Sequence, residues 1–529
     1  MSNPALRPMT VGALYERAVL HGGERIALVD GERRISYRAL GTQAARLAAG
    51  FGALGLRRGD RIAFLMANCA EYVACEYAVA RLGATRVPLA VLLGEDDHAY
   101  MMNFARCRTL VYHAKFAERV RAMLPRLETV ERFVCVGAAA ALVLPPGHLR
   151  LEALLASDAP EVPALDIDPE EIAGIYFTGG TTGRPKGVML SHRSWFHTYA
   201  QELIDFAVAP REVFVFATPL THAGGCLLLP VLLRQGRCVI LDHFEPELLL
   251  ATIERERATA TLLVPTMIYL LLDHPRRDAF DRSSLRNVLY GAAAIAPERL
   301  KQALQVFGPV FTQFFGQTEA PMTLTALARE DHLVDDPARE QEVLTSAGRA
   351  IYGVQIRLID EAGRDVAAGE AGEVIARAPN LMSGYLDNPE ATAAAVRDGW
   401  LYTGDIARMD AEGLITIVDR KKDMIVSGGF NIFPREVEDA LFEHPAVRQA
   451  AVIGVPHEKW GEEVKALVVL QPGAAAEADE LIDFVKTRKG SLMAPKSVEF
   501  VDAIPLTNLG KVDKKAIRTR YWGGRTRNV

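Results

Sequence analysis

The sequence predicts an α/β protein in two parts: a large N-terminal α/β domain with several sheets, and a small C-terminal α+β domain. Three observations carry that prediction. At 529 residues the chain exceeds what one hydrophobic core usually supports, which argues for at least two domains. Strand-like apolar runs alternate with helix-like segments up to about residue 420, the pattern of sheets with much parallel pairing. The charged run Asp419-Arg420-Lys421-Lys422-Asp423 then precedes a different pattern, two strand-like runs and one helix. That last piece has about a hundred residues, near the lower end for an independent domain. The expected domains are residues 1–421 and 422–529.

In chain order, Arg61-Ile62-Ala63-Phe64-Leu65-Met66 reads as a buried strand. Residues 71–82 read as a helix ended by Gly83. Arg86-Val87-Pro88-Leu89, Thr109-Leu110-Val111-Tyr112 and Arg132-Phe133-Val134-Cys135-Val136 continue the strand series. Ala138-Ala139-Ala140-Ala141 with Pro145-Pro146-Gly147 reads as a surface excursion. Ile172-Ala173-Gly174-Ile175-Tyr176-Phe177 is a strand that enters a Gly/Thr-rich stretch, and Val310-Phe311-Thr312-Gln313-Phe314 is another. In the last part, residues 450–455 and 464–470 are strand-like, 473–479 form a small-residue loop and 480–489 look helical. There is no internal repeat.

Bulk composition excludes several function classes. Half of the residues are hydrophobic, 24% are charged and the net charge is -6, so nothing suggests a nucleic-acid surface. The six cysteines are scattered without a CxxC pair, which argues for buried thiols rather than a disulfide framework or a zinc site. Met1-Ser2-Asn3-Pro4 lacks the basic start and apolar core of a secretory signal. The greasiest stretch, residues 226–233, is interrupted by Pro230, so no integral membrane segment is expected. A cytoplasmic monomer or homodimer fits.

The most informative stretch is Tyr176-Phe177-Thr178-Gly179-Gly180-Thr181-Thr182-Gly183-Arg184-Pro185-Lys186-Gly187. Glycines let a ligand approach the main chain closely. Bare N–H groups in such a turn form a concave anion site. Thr hydroxyls add donors and Lys186 adds positive charge, so the stretch reads as a polyphosphate cradle. It is not the common P-loop, which needs Gly-Lys-Ser/Thr after a four-residue spacer. Its order closely resembles the phosphate-loop signature of the adenylate-forming superfamily, which contains acyl-CoA synthetases, adenylation domains of peptide synthetases and luciferases. Many members carry Ser at the position of Gly179, so one hydroxyl donor is missing here.

Further elements follow in the same family's order. Phe315-Gly316-Gln317-Thr318-Glu319 places a carboxylate past a Gly turn, a position suited to Mg²⁺, which prefers oxygen ligands and bridges to phosphate. Alone, such a Glu would be read as solvated. The resemblance implies that Phe315 stacks on adenine, Thr318 contacts phosphate and Glu319 binds the metal; the usual Tyr is Phe315 here. Tyr402-Thr403-Gly404-Asp405 and Arg420 match elements that hold the ribose, although a turn Asp and a linker Arg are the bland readings. Lys422 matches the pivot of a mobile small domain. Ser427-Gly428-Gly429-Phe430 suits a tight hairpin, and the resemblance puts Gly429 beside the pantetheine tunnel. Gly510-Lys511 resembles the final motif, whose Lys touches the acyl carboxylate and the α-phosphate; otherwise Lys511 would be a surface lysine. His222, after Pro219-Leu220-Thr221, matches a residue bordering the acyl carboxylate, with a capping His as the plain alternative. Gly291, Ala292, Gln313, Phe314 and Gly316 complete the implied nucleotide site. Gly291 and Ala293 match an acyl-pocket wall, where small side chains suggest room for a bulky or long acid.

The resemblance therefore implies the adenylate-forming fold, with ATP, Mg²⁺ and CoA. Thr178, His222 and Lys511 would be catalytic in joining a hydrophobic carboxylic acid to AMP and then to CoA. The nearest alternative is a standalone enzyme that loads an acyl carrier protein. A peptide-synthetase-type activator is disfavoured, because no acidic residue follows His222 to pair with an α-ammonium. An inactive nucleotide sensor is disfavoured, because Glu319, Asp405, Arg420 and Lys511 are all present. A luciferase-type oxygenase shares these motifs.

Overall fold

Runs such as Arg61–Leu65, whose last four residues are buried, form the inner strands of two mainly parallel sheets. The computed structural model describes residues 9–139, 142–156, 159–160, 162, 165–178, 184–506 and 512–523. The chain divides into two units, residues 1–356 with 376–401, and residues 357–375 with 402–529.

In the first unit an eight-stranded sheet runs in the order Gly384–Tyr385, Lys186–Ser191, Ile172–Thr178, Thr85–Pro88, Arg61–Leu65, Thr109–His113, Arg132–Val136, His148–Arg150. Only the two pairings at the Gly384–Tyr385 end are antiparallel. A nine-stranded sheet has a parallel centre made from Ile26–Asp30, Arg237–Ile240, Val213–Phe216, Ala260–Leu263, Asn287–Gly291 and Phe311–Gln317. One continuous apolar core contains Phe64 and Val111 of the first sheet and Phe214 and Phe216 of the second. Helices Val11–Gly22, Tyr37–Ala53, Ala70–Arg81 and His192–Asp205 contribute to it as well. Separate cores lie under Pro246–Glu256 and Pro297–Phe307, and under Glu95–Phe104. This is α/β layering, because each sheet needs apolar cover on both faces.

Local signals place the helices. Ser36 Oγ accepts from Ala39 N at 3.1 Å and starts Tyr37–Ala53. Ser191 Oγ accepts from Ser194 N at 3.1 Å and starts His192–Asp205 straight after a strand. Side-chain caps of this kind satisfy N–H groups that the first helical turn leaves open.

The expected alternation ends earlier than residue 420. After Phe311–Gln317 the nine-stranded sheet continues with antiparallel pairings, Gln313↔Leu327 and Thr325↔Ala350. A two-residue turn joins the first pair, and a segment containing helix Pro337–Thr345 joins the second; a count of apolar runs cannot distinguish either from a parallel crossover.

In the second unit, the part of Trp400–Met409 after Leu401 pairs with Ile415–Arg420 in the register Asp405↔Arg420. This pairing puts Asp405 and the charged run in one unit, so the division falls before the 421/422 junction read from the sequence. A five-stranded sheet follows, in which Val447–His457 and Gly461–Leu470 form a long antiparallel pair. Ser497–Phe500 adds in parallel, and helices Pro434–Phe442 and Ala478–Lys489 pack over it. All six cysteines are free and buried. Among the described residues no helix is long and apolar enough to cross a membrane.

Candidate active site

In the first unit, antiparallel pairing of Ile172–Thr178 with Lys186–Ser191 sets Thr178 opposite Lys186. These two residues form the base of the Gly/Thr-rich loop and are partly exposed. Gly179, Gly180, Thr181, Thr182 and Gly183 lie outside the described residues.

A second hairpin joins Phe311–Gln317 to Ala320–Leu327, and Thr318-Glu319 is its two-residue turn. Strand Asn287–Gly291 runs alongside, with Tyr290↔Gln313 and Gly291↔Phe314 as partners. Gly291 has no room for a side chain, since a Cβ would stand 2.4 Å from Phe314 O. Gln313 is 8% exposed, and its Oε1 has no hydrogen-bond partner among the described residues. A buried amide oxygen without a partner costs free energy unless something occupies it, which suits a ligand-facing position. Phe315, Gly316 and Thr318 are partly exposed.

Glu319 is tethered by residues that the sequence reading did not single out. Tyr385 Oη donates to Glu319 Oε1 at 2.7 Å, and Met382 N donates to Glu319 O at 2.8 Å. The Tyr385 ring lies 4.8 Å from Lys186 Nζ. Burial first, and the Glu319 charge second, push the Tyr385 phenol well above its ordinary 10, so it stays a donor. Among the described residues no group of three or more His, Cys, Asp or Glu gathers to hold a metal. Mg²⁺ does not need such a cage: it commonly uses one or two carboxylates and completes its shell with phosphate and water. Glu319, with one oxygen held by Tyr385, fits that donor set.

His222 stands at the N-terminus of the short helix Ala223–Cys226 and is exposed. Desolvation by the neighbouring protein groups nonetheless holds its pKa below 6.5, so the neutral ring predominates at pH 7. None of the other candidate residues bonds to its side chain among the described residues. Ala292, Ala293 and Ala294 are exposed, and Ala292 has φ 64°. The neighbouring Cys226, Leu227, Leu228 and Leu229 are core residues.

In the second unit, Asp405 is 2% exposed and pairs with the half-exposed Arg420 at 2.5 Å, Nε to Oδ1. Thr403 Oγ1 accepts from Asp405 N at 3.1 Å and donates to Val374 O at 2.8 Å. The carboxylate is thus fixed from behind while its arginine reaches solvent. Lys422 is exposed. Gly428 and Gly429, with φ of 58° and 83°, make the two-residue turn between Ile425–Ser427 and Phe430–Ile432. Positive φ at both positions is what such a hairpin requires. Lys511 lies outside the described residues. The residues around that segment are fixed: Leu506 bridges to Val512, and Asp513 caps helix Lys514–Trp522. Lys514 pairs with Glu438 at 2.8 Å, and Arg518 pairs with Asp423 at 2.7 Å.

Chemically, one unit offers a loop base, a cation and a tethered carboxylate. The other offers a buried, arginine-held carboxylate able to accept hydroxyl hydrogen bonds.

Comparison with known proteins agrees with this chemistry. A family model described as AMP-binding enzyme matches residues 15–386, and one described as AMP-binding enzyme C-terminal domain matches 436–511. The chain is 41% identical to the medium/long-chain-fatty-acid–CoA ligase FadD8 of Mycobacterium tuberculosis, over 99% of this chain and 92% of that one. It is 37% identical to a feruloyl-CoA synthase of an Amycolatopsis species, over 96% of each. Among solved structures, the amide bond synthetase McbA of Marinactinospora thermotolerans matches with a TM-score of 0.87 at 33% identity, covering 97% of this chain and 100% of that one.

Proposed function

The chain belongs to the AMP-binding enzyme family, and we propose from this that it is an AMP-forming acyl-CoA synthetase acting on a hydrophobic carboxylic acid. The observation that carries the reading is the joining of the Thr178–Lys186 loop base to the Glu319 turn through Tyr385. It brings a cation and an oxygen ligand to bear on one polyphosphate. The relatives named for fatty-acid and feruloyl substrates both point to an apolar acid.

In the first half-reaction the acid carboxylate attacks the α-phosphorus of ATP and pyrophosphate leaves. Both reactants are anions, so the barrier is largely electrostatic. Thr178, the loop residues 179–183 and Lys186 hold the phosphates. Mg²⁺, when bound at Glu319, neutralises phosphate charge. Gly291, Ala292 and residues 313–316 take the adenine, with Phe315 as the stacking face. Asp405 and Arg420 take the ribose. Lys511 reaches the carboxylate and α-phosphate, and His222 borders the acid as a neutral ring. In the second half-reaction the small C-terminal domain rotates about Lys422, Lys511 withdraws and Gly429 arrives beside the incoming thiol. A CoA thiol near pKa 8.5 is partly ionised at neutral pH, so no dedicated base is required. The buried free thiols suit a reducing cytoplasm.

The test is mass-spectrometric detection of acyl-AMP and acyl-CoA with Mg-ATP, CoA and a panel of fatty, aryl and alicyclic acids. Acyl-CoA formation supports the reading and names the acid. Acyl-AMP without acyl-CoA would assign the acceptor role to a carrier protein, and no adenylate from any acid would sink the reading.

A further inference from the structure

We propose that Tyr385 is the positioning residue that fixes the metal-binding carboxylate of Glu319 and the ammonium of Lys186 in one geometry, so that metal and lysine address the same triphosphate. This rests on the function just proposed and goes beyond it by assigning a role to a residue outside the phosphate loop and the Glu319 motif.

The backbone around Tyr385 is a strut between the two hairpins. On one side Ser383 N donates to Met189 O and Leu386 N to Gly187 O, both at 2.8 Å, and Tyr385 pairs in register with Val188. On the other side Met382 N donates to Glu319 O at 2.8 Å. Tyr385 N donates to Thr392 Oγ1 at 2.9 Å, so the residue is also tied to helix Pro389–Ala395. Its side chain then makes both functional contacts at once. The hydroxyl donates to Glu319 Oε1 at 2.7 Å, while the ring receives Lys186 Nζ at 4.8 Å. The hydroxyl contact distinguishes the two oxygens of a carboxylate that could otherwise rotate; Oε1 is engaged, and no described residue bonds Oε2. The ring contact holds an ammonium on a flexible stem by its quadrupole, within the usual range of about 6 Å. Two charges of opposite sign are therefore placed by one side chain without pairing with each other.

The hydroxyl and the ring can be separated. Tyr385→Phe keeps the ring and the strut and loses only the bond to Glu319. Tyr385→Leu loses both contacts. The primary readout is Mn²⁺ binding, measured by electron paramagnetic resonance on the purified full chain with the non-hydrolysable analogue α,β-methylene-ATP. A hydrogen bond to a charged group is worth about a tenfold change or more. Tyr385→Phe should therefore weaken Mn²⁺ by about tenfold. It should leave metal-free nucleotide binding and the thermal midpoint near wild type. Tyr385→Leu should weaken metal-free nucleotide binding as well. In pyrophosphate exchange, Tyr385→Phe should need more Mg²⁺ and recover kcat at saturation. Equal Mn²⁺ affinity in wild type and Tyr385→Phe overturns the proposal. So does a Tyr385→Phe defect that excess metal leaves uncorrected, which would mark a purely structural strut. Wild-type protein that binds no metal–nucleotide complex would fail the underlying function as well, which separates that failure from the other two.

Discussion

Replacing Glu202 with Gln should change stability in a way that depends on pH. Glu202 lies on helix His192–Asp205 and is fully buried, and neither carboxylate oxygen has a hydrogen-bond partner among the described residues. Burial raises its pKa well above the ordinary 4.5. The folded protein therefore holds a proton that the unfolded chain releases above that value. A group with a raised folded pKa contributes its full stability below the unfolded pKa and loses it as pH climbs toward the folded one. The loss runs at about 1.4 kcal/mol per pH unit. From pH 5.5 to 7.5 this amounts to about 2.7 kcal/mol, as long as the acid stays protonated in the fold. Glu202→Gln keeps the shape and removes the titration, so variant minus wild-type stability should rise by about that amount over the interval. Urea unfolding at pH 5.5, 6.5 and 7.5, followed by Trp195 on the same helix, would measure it. Other titrating groups cancel in the difference. A difference that stays flat with pH would mean that the carboxylate is ionised in the fold, and the reasoning would be refuted.

The other expectations concern chemistry and a contrasting buried acid. Glu438→Gln should destabilise, because it removes the charge that the buried Glu438 offers to the partly buried Lys514 2.8 Å away; the cost should be about 3 kcal/mol by the same urea assay. Lys511→Ala should lower acyl-AMP formation by about a hundredfold or more while largely keeping thioester formation from supplied acyl-AMP; equal loss of both steps would contradict its role. Asp405→Asn keeps the shape and removes the charge held by Arg420, and should raise the KM for ATP by about tenfold in pyrophosphate exchange.

What the sequence revealed depended on whether a residue's partners were near it in the chain. The Gly/Thr stretch was legible because its chemistry is local: backbone donors, hydroxyls and Lys186 follow one another. Asp405 and Arg420 could be nominated separately, but only the antiparallel register brings them to 2.5 Å. The same register explains the domain division. A charged run looks like a linker, yet here its first two residues end a paired strand, so the structural unit begins before it. Tyr385 was missed for a stricter reason. It is 66 residues from Glu319, and its neighbours Gly384 and Leu386 signal only a turn and an apolar contact. Its use appears once Gly384–Tyr385 pairs with Lys186–Ser191, because that pairing decides which way the phenol points. Glu202 was hidden in the opposite way: its helix carries enough polar residues to pass for half-solvated. Burial of Thr198, Gln201 and Glu202 on it is set by the two sheets it serves, and nothing within fourteen helical residues encodes that. Local chemistry is therefore readable from residue types, while the groups that aim it and the groups that strain it are readable only from pairing.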